Sequence, residues 1–300
     1  VRPAPGKSEH AVVAAPTGTG LILDRYELAI HYEGRYESRS DRTTVFVRRL
    51  AEKPGVSTAK LYGYGSEVYV LADDALEVTV DPRRGGRILE IYDRRTGCNQ
   101  ITVPYDRLGG LHNIAFAYCI WDEVKAPHGF GIGRNAPYQV KVLPDGLTLS
   151  AGAPGKLAVT KTLTLGGGGV LNLNVKLDNR SDRELACSWY MHPEYTVGGE
   201  AVSHSDLLTL PIGGKNLDIP YSAGLGDRST PEFSDGFWML TSPSKQYRIR
   251  QDFPPEKFRK PRLWFGIGCC NLEMESSRGL KLRPGESWTG DLKWTFSQIR

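Results

Sequence analysis

Apolar and polar residues alternate along this chain with a period of two, in short runs bounded by glycine and proline. Residues 75–80, 157–163, 170–177 and 287–296 are the clearest cases. In 170–177, Val170, Leu171, Leu173, Val175 and Leu177 interleave with Asn172, Asn174 and Lys176. That alternation predicts an antiparallel strand with one buried face. Asp145-Gly146, the glycines at 166–169, Asn179-Arg180-Ser181-Asp182 and Pro284-Gly285 supply turn residues between the runs. No segment keeps a helical period of 3.6 beyond about two turns. The pattern predicts an all-β chain, a large antiparallel β-sandwich.

Residues 1–20, rich in Pro, Gly and Ala, read as a flexible lead-in. Residues 21–64 hold two or three strands, either a small N-terminal subdomain or extra strands on the main sheet. Residues 65–300 form the principal β domain.

Composition narrows the function classes. The 300 residues are 40% hydrophobic, enough for a large core, and the net charge is a mild +4. Basic residues are scattered and form no stripe with interleaved aromatics, so nucleic acid is not an expected partner. No apolar run is long enough to span a membrane as a helix. The chain starts at Val1 without a leader pattern. The expectation is a processed or excised chain, cytoplasmic or exported in origin. The five cysteines are irregularly spaced and contain no Cys-x-x-Cys pair. They predict neither a zinc cluster nor, for adjacent Cys269 and Cys270, a disulfide. The glycines at 166–169 lack the Lys-Ser/Thr of a phosphate loop. No metal and no organic cofactor is expected.

Candidate chemistry gathers around two histidines. One lies in Pro127-His128-Gly129-Phe130 and the other in Met191-His192-Pro193-Glu194-Tyr195; the late acidic residues Glu273 and Glu275 follow. Histidine titrates closest to neutral pH, and a carboxylate is a natural partner for it in proton transfer. Singly, each residue has a plain structural reading: a packed His, a solvated strand face, a loop cap, an ion-paired Arg. Trp121, Trp189, Trp238 and Trp264 are expected in the core, with one or two free to stack on a sugar ring.

Four segments together resemble a known pattern. Asp81-Pro82-Arg83-Arg84-Gly85-Gly86-Arg87-Ile88-Leu89-Glu90-Ile91-Tyr92-Asp93 is similar to the opening hairpin of the aldose 1-epimerase (galactose mutarotase-like) superfamily. Pro127-His128-Gly129-Phe130, continuing to Arg134-Asn135-Ala136-Pro137-Tyr138, resembles a His-Gly-Phe-Ala-Arg-Asn motif of the hexose-6-phosphate mutarotase branch. His192-Pro193-Glu194-Tyr195 resembles the His-x-Tyr-Phe motif, and Cys270-Asn271-Leu272-Glu273 with Leu282-Arg283-Pro284-Gly285-Glu286 resembles the closing segments. The resemblance covers roughly residues 65–298 and implies a β-supersandwich that binds a mono- or oligosaccharide.

The resemblance also implies roles. His192 takes that of the acid, and Glu273 or Glu275 that of the base, Glu273 being better placed relative to the closing hairpin. Two residues apart on a strand, both would share one face. His128 and Arg134 would hold sugar hydroxyls or a phosphate, and His112 matches a histidine of other branches. Glu194 and Tyr195 would add substrate contacts. Two departures argue against a hexose 6-phosphate: the carboxylate of Glu194 beside the acid, and two extra residues before Arg134. Acid and base are expected to face each other across a pocket with room for one ring. The reading is an anomer-interconverting isomerase. The alternatives are a non-catalytic carbohydrate-binding domain, or a lyase or glycoside hydrolase built on the carboxylates. The sequence does not specify an oligomeric state.

Overall fold

The computed structural model describes residues 21–33, 38–61, 66–101, 119–222, 228–229, 232–258, 262–266, 268–276 and 280–299; for 21–48, 61 and 228–229 it describes the backbone alone. Strands are numbered in chain order. A thirteen-stranded sheet runs β16 (Arg228–Ser229), β19 (Arg262–Phe265), β20 (Cys270–Glu275), β13 (Leu185–Pro193), β8 (Ile120–Lys125), β6 (Arg87–Asp93), β5 (Leu76–Asp81), β4 (Val68–Ala72), β3 (Gly55–Leu61), β1 (Leu21–Glu33) and β2 (Ser38–Arg48). Off this path, β21 (Leu280–Leu282) pairs with β13 and β7 (Cys98–Asn99) with β6. A nine-stranded sheet runs β15 (Lys215–Pro220), β14 (Leu207–Ile212), β17 (Phe237–Ser242), β18 (Tyr247–Asp252), β22 (Ser287–Gln298), β12 (Val170–Asn179), β11 (Leu157–Leu165), β10 (Gly146–Gly152) and β9 (Gln139–Leu143). Among the described residues every ladder is antiparallel except β1 with β3. No α-helix occurs among them, only a 3-10 turn at Pro127–Gly129. The all-β double-sheet architecture is the one the alternation predicts.

The core lies between the sheets, and the period-two pattern decides which side chains enter it. Leu171, Leu173, Val175 and Leu177 of β12 are buried, while Asn172, Asn174 and Lys176 point away. From the other sheet, Leu185, Cys187, Trp189 and Met191 of β13 join the same cluster. Full burial of each such apolar side chain contributes about 2 kcal/mol.

Two polar ties cross this apolar layer. Lys161 of β11 meets Asp122 of β8 at 2.5 Å and also donates to the Gly85 carbonyl at 2.6 Å. Asp122 takes a second bond from Trp189 Nε1 at 2.8 Å. The other tie centres on Asp93 at the end of β6. Arg95 donates to both its carboxylate oxygens, and Tyr247 of β18 donates to Oδ2 at 2.5 Å. Arg95 also reaches the Phe296 carbonyl of β22 at 2.8 Å.

Asp93 predicts a pH dependence. Burial pushes its carboxyl up, but the hydrogen bonds from Arg95 and Tyr247 and the Arg95 charge together outweigh burial, leaving it below the ordinary 3.8. A depressed carboxyl stabilises the fold fully above its unfolded value, and the contribution fades as pH falls through the folded value. Urea unfolding of the protein and of Asp93→Asn should therefore show a gap in stability at pH 7 that narrows below about pH 4. A gap constant down to pH 2.5 would show that Asp93 is not linked to folding.

Candidate functional site

The face of the larger sheet turned away from the core carries a row of side chains set by strand register. Trp121 of β8 pairs with His192 of β13. Tyr190 and Met191 pair with Glu275 and Met274 of β20, and the bridge between Tyr195 and Cys270 keeps the same register. His192 therefore lies opposite Glu273, which in turn pairs with Arg262 of β19. Directly opposed residues bring their Cβ atoms to about 5 Å, close enough for side chains to bond.

They do. His192 Nδ1 and Glu273 Oε1 are 2.8 Å apart. The Trp121 ring lies flat on the imidazole, with centroids 3.9 Å apart and planes 14° from parallel. This stack fixes the plane of the imidazole, and the Glu273 bond fixes its rotation. The remaining ring nitrogen, Nε2, is buried and has no hydrogen-bond partner. It is the atom of this dyad left to meet a ligand. The sequence-based expectation that acid and base face each other across a pocket is corrected here. They are cross-strand neighbours on one face, joined directly, so a substrate lies over both rather than between them.

Glu275 shares the face, as a spacing of two requires, but falls one row away, where Tyr190 hydrogen-bonds to it and has its phenol raised by burial and by that contact. Register, not facing, separates the two glutamates. Glu194 and Asn271 occupy the next row on the other side and are both buried.

His128 and Arg134 belong to one sequence motif but to different places. After β8 the chain turns back, with Val124 and Ile132 exchanging both backbone bonds at 2.8 Å. His128 sits at the exposed tip of this hairpin, with a left-handed φ of 55°. The return limb carries Arg134 back over Trp121, its guanidinium carbon 5.4 Å from the ring centroid. Tip and return limb are separated by the length of the hairpin, so of the pair only Arg134 is brought to the site. Gly85, with φ of 78°, makes this packing possible, because a Cβ there would stand 2.0 Å from the Arg134 carbonyl oxygen.

Tyr195, expected at the substrate, is instead fully buried on the core side, its hydroxyl accepting from Trp294 Nε1 at 2.6 Å. The strand parity that exposes His192 sends Tyr195 inward. His112 lies outside the described residues.

Arg87 is a residue that motif reasoning did not assign. It is buried at the start of β6 and donates to Asn135 Oδ1 at 2.5 Å. Its strand neighbour Ile88 pairs with Ile120, which sets Arg87 in line with Trp121. The available signal was a charged residue opening an apolar strand, since a buried Arg demands partners. Beside it, burial pushes the Cys119 thiol up to about 12, a shift that the Arg87 charge only partly offsets. Such a thiol is no nucleophile. All five cysteines are unbridged.

With this geometry in place, comparison with known proteins locates the fold. No protein-family model matches the chain, and no curated protein matches its sequence. Among solved structures, the fold is that of the galactose mutarotase-like proteins. A galactose mutarotase-like protein from Clostridium acetobutylicum superposes with a TM-score of 0.60 at 12% identity, covering 83% of this chain and 100% of its own. A putative aldose 1-epimerase from Escherichia coli K12 gives 0.58 at 14% identity, covering 77% and 99%. A galactose mutarotase-like protein from Lactobacillus casei gives 0.57 at 12%, covering 77% and 100%. Identities this low carry the fold and not the activity.

Proposed function

We propose that this protein is an aldose 1-epimerase-type isomerase that interconverts the anomers of a sugar, with His192 and Glu273 as its proton-transfer pair. The observation that carries this reading is the dyad itself: a fixed imidazole, bonded to a carboxylate, with one buried nitrogen lacking a partner. The fold and the order of the motifs support it.

The chemistry follows from the two groups. Glu273, as carboxylate, takes the proton of the anomeric hydroxyl through the oxygen not engaged by His192. His192, as imidazolium, gives its Nε2 proton to the ring oxygen as the C1–O5 bond breaks. The products of this half-reaction are the open-chain aldehyde, a neutral imidazole and a carboxylic acid, so protons and charge balance. Rotation about C1–C2 and reclosure with the roles reversed yields the other anomer. Both groups lie on one side of the substrate, which suits a reaction whose two exchanging oxygens share or flank a single carbon. Arg134 and Trp121 form the wall beside the imidazole.

Exchange spectroscopy by NMR on equilibrated neutral aldoses provides the test. The expected result is an anomer exchange rate that rises in proportion to protein concentration. No acceleration over the spontaneous rate across the common aldoses would overturn the proposal. Saturable glycan binding without turnover would instead assign the chain to the accessory-domain class.

A further inference from the structure

One row along the sheet from His192 and Glu273 lies a second polar pair, Glu194 and Asn271. The shared register of the Met191–Met274 pairing and the Tyr195–Cys270 bridge sets these two opposite each other. Each is two residues from a member of the dyad, so both point to the same face. They are nonetheless nearly inaccessible, Glu194 at 7% exposure and Asn271 at 6%. Cys269 Sγ lies 3.9 Å from Glu194 Oε2. The side-chain oxygen of Asn271 has no hydrogen-bond partner. A buried acceptor left unsatisfied is costly, and in a folded protein it calls for a specific reason. His192 Nε2, one row away, is the second such atom on this face.

The two orphaned atoms sit two residues apart along adjacent strands, a separation of about 6.6 Å. One pyranose ring spans that interval, from its anomeric hydroxyl to the hydroxyls on its far side. The chemistry of the second pair is that of acceptors: a carboxylate accepts only, and Asn271 presents its carbonyl oxygen. Hydroxyl donors satisfy such a pair, whereas a phosphate or carboxylate brought there is repelled.

We propose that Asn271 and Glu194 form a subsite that reads a hydroxyl on the far side of the ring, at C3 or C4, and that the substrate is a neutral polyhydroxylated aldose rather than a sugar phosphate or uronic acid. This rests on the reading of His192 and Glu273 as the anomeric centre. Asn271 and Glu194 here are specificity-determining residues and move no proton.

The test pairs substrate and enzyme changes. Wild type, Asn271→Leu and Glu194→Gln are compared by NMR anomer exchange and by calorimetric binding. The ligands are one parent aldose, its 3-deoxy and 4-deoxy analogues, and its 6-phosphate. Wild type is expected to disfavour one deoxy analogue by about 100-fold in kcat/KM, the effect of leaving a buried acceptor unpaired. Asn271→Leu should shrink that ratio to within about threefold, because the acceptor has gone with the donor. Glu194→Gln, nearly isosteric, should lower the ratio while keeping the fold, and it decides the matter if the leucine variant is unstable. Unchanged discrimination in the variants, or a wild-type preference for the 6-phosphate, overturns the subsite. If wild type binds the parent sugar but does not exchange its anomers, the mutarotase reading fails alone. The same ratio taken from dissociation constants then judges the subsite, and equal constants for parent and deoxy sugars overturn it.

Discussion

Replacing Glu273 with Gln is expected to slow anomer interconversion about 10³-fold, a loss of the size seen when a positioned general base is removed. Gln has the shape of Glu, and its carbonyl oxygen can still accept from His192 Nδ1, so the imidazole keeps its orientation. What the amide cannot do is take a proton from the anomeric hydroxyl. The loss should therefore fall on kcat, with KM nearly unchanged. Glu275→Gln is the matched control. Glu275 lies on the same face but bonds to Tyr190 one row away, and its replacement should change kcat less than about threefold. Adding His192→Gln to Glu273→Gln should cost little more, because the two groups act as one unit and their effects do not add. Saturation-transfer NMR on the four proteins measures all of this. Equal losses for the two glutamates, or an active Glu273→Gln, would remove the dyad from the mechanism.

The second large effect concerns stability. Lys161→Met should destabilise the fold by about 3–5 kcal/mol, the usual consequence of breaking a buried ion pair from one side. Lys161 and Asp122 meet at 2.5 Å with the lysine almost wholly buried, and the loss would strand a carboxylate between the sheets. It would also free the Gly85 carbonyl, to which the ammonium is bonded at 2.6 Å, in the turn that leads into β6 and Arg87. Adding Asp122→Asn should recover much of the loss. The amide oxygen still accepts from Trp189 Nε1, and no charge is left unpaired. Thermal unfolding of the single and double variants is the measurement, with the single variant melting about 10 °C lower. A shift of a degree or two in Lys161→Met would mean that water reaches the pair and screens it.

Much of the architecture was open to reading from the chain. The alternation in 170–177 and 287–296 reappears strand for strand as β12 and β22, with the apolar members inside. The site was legible in part. Motif order brought His192 and Glu273 forward, and both stand in the central row. The same motifs also brought forward His128, which is at a hairpin tip, and Tyr195, which is in the core. A motif records which residues are close along the chain, and a turn or a change of facing between them separates their side chains. Arg87 and Asn271 escaped notice for the converse reason: their strands look ordinary, and only burial makes an arginine or an unpartnered amide oxygen conspicuous.

The amino-acid sequence by itself determined the strands, their turns and which side chain of each strand faces the core, because a period of two is a local property of an extended backbone. Only the tertiary structure decided which residues meet across strands. His192 and Glu273 are 81 positions apart, and Glu273 and Glu275 are indistinguishable by facing. The choice between them is a matter of register, and a slip of two residues in β20 would put Glu275 on the imidazole while leaving every apolar side chain on its own side. Register is held by the whole sheet through many non-local pairings.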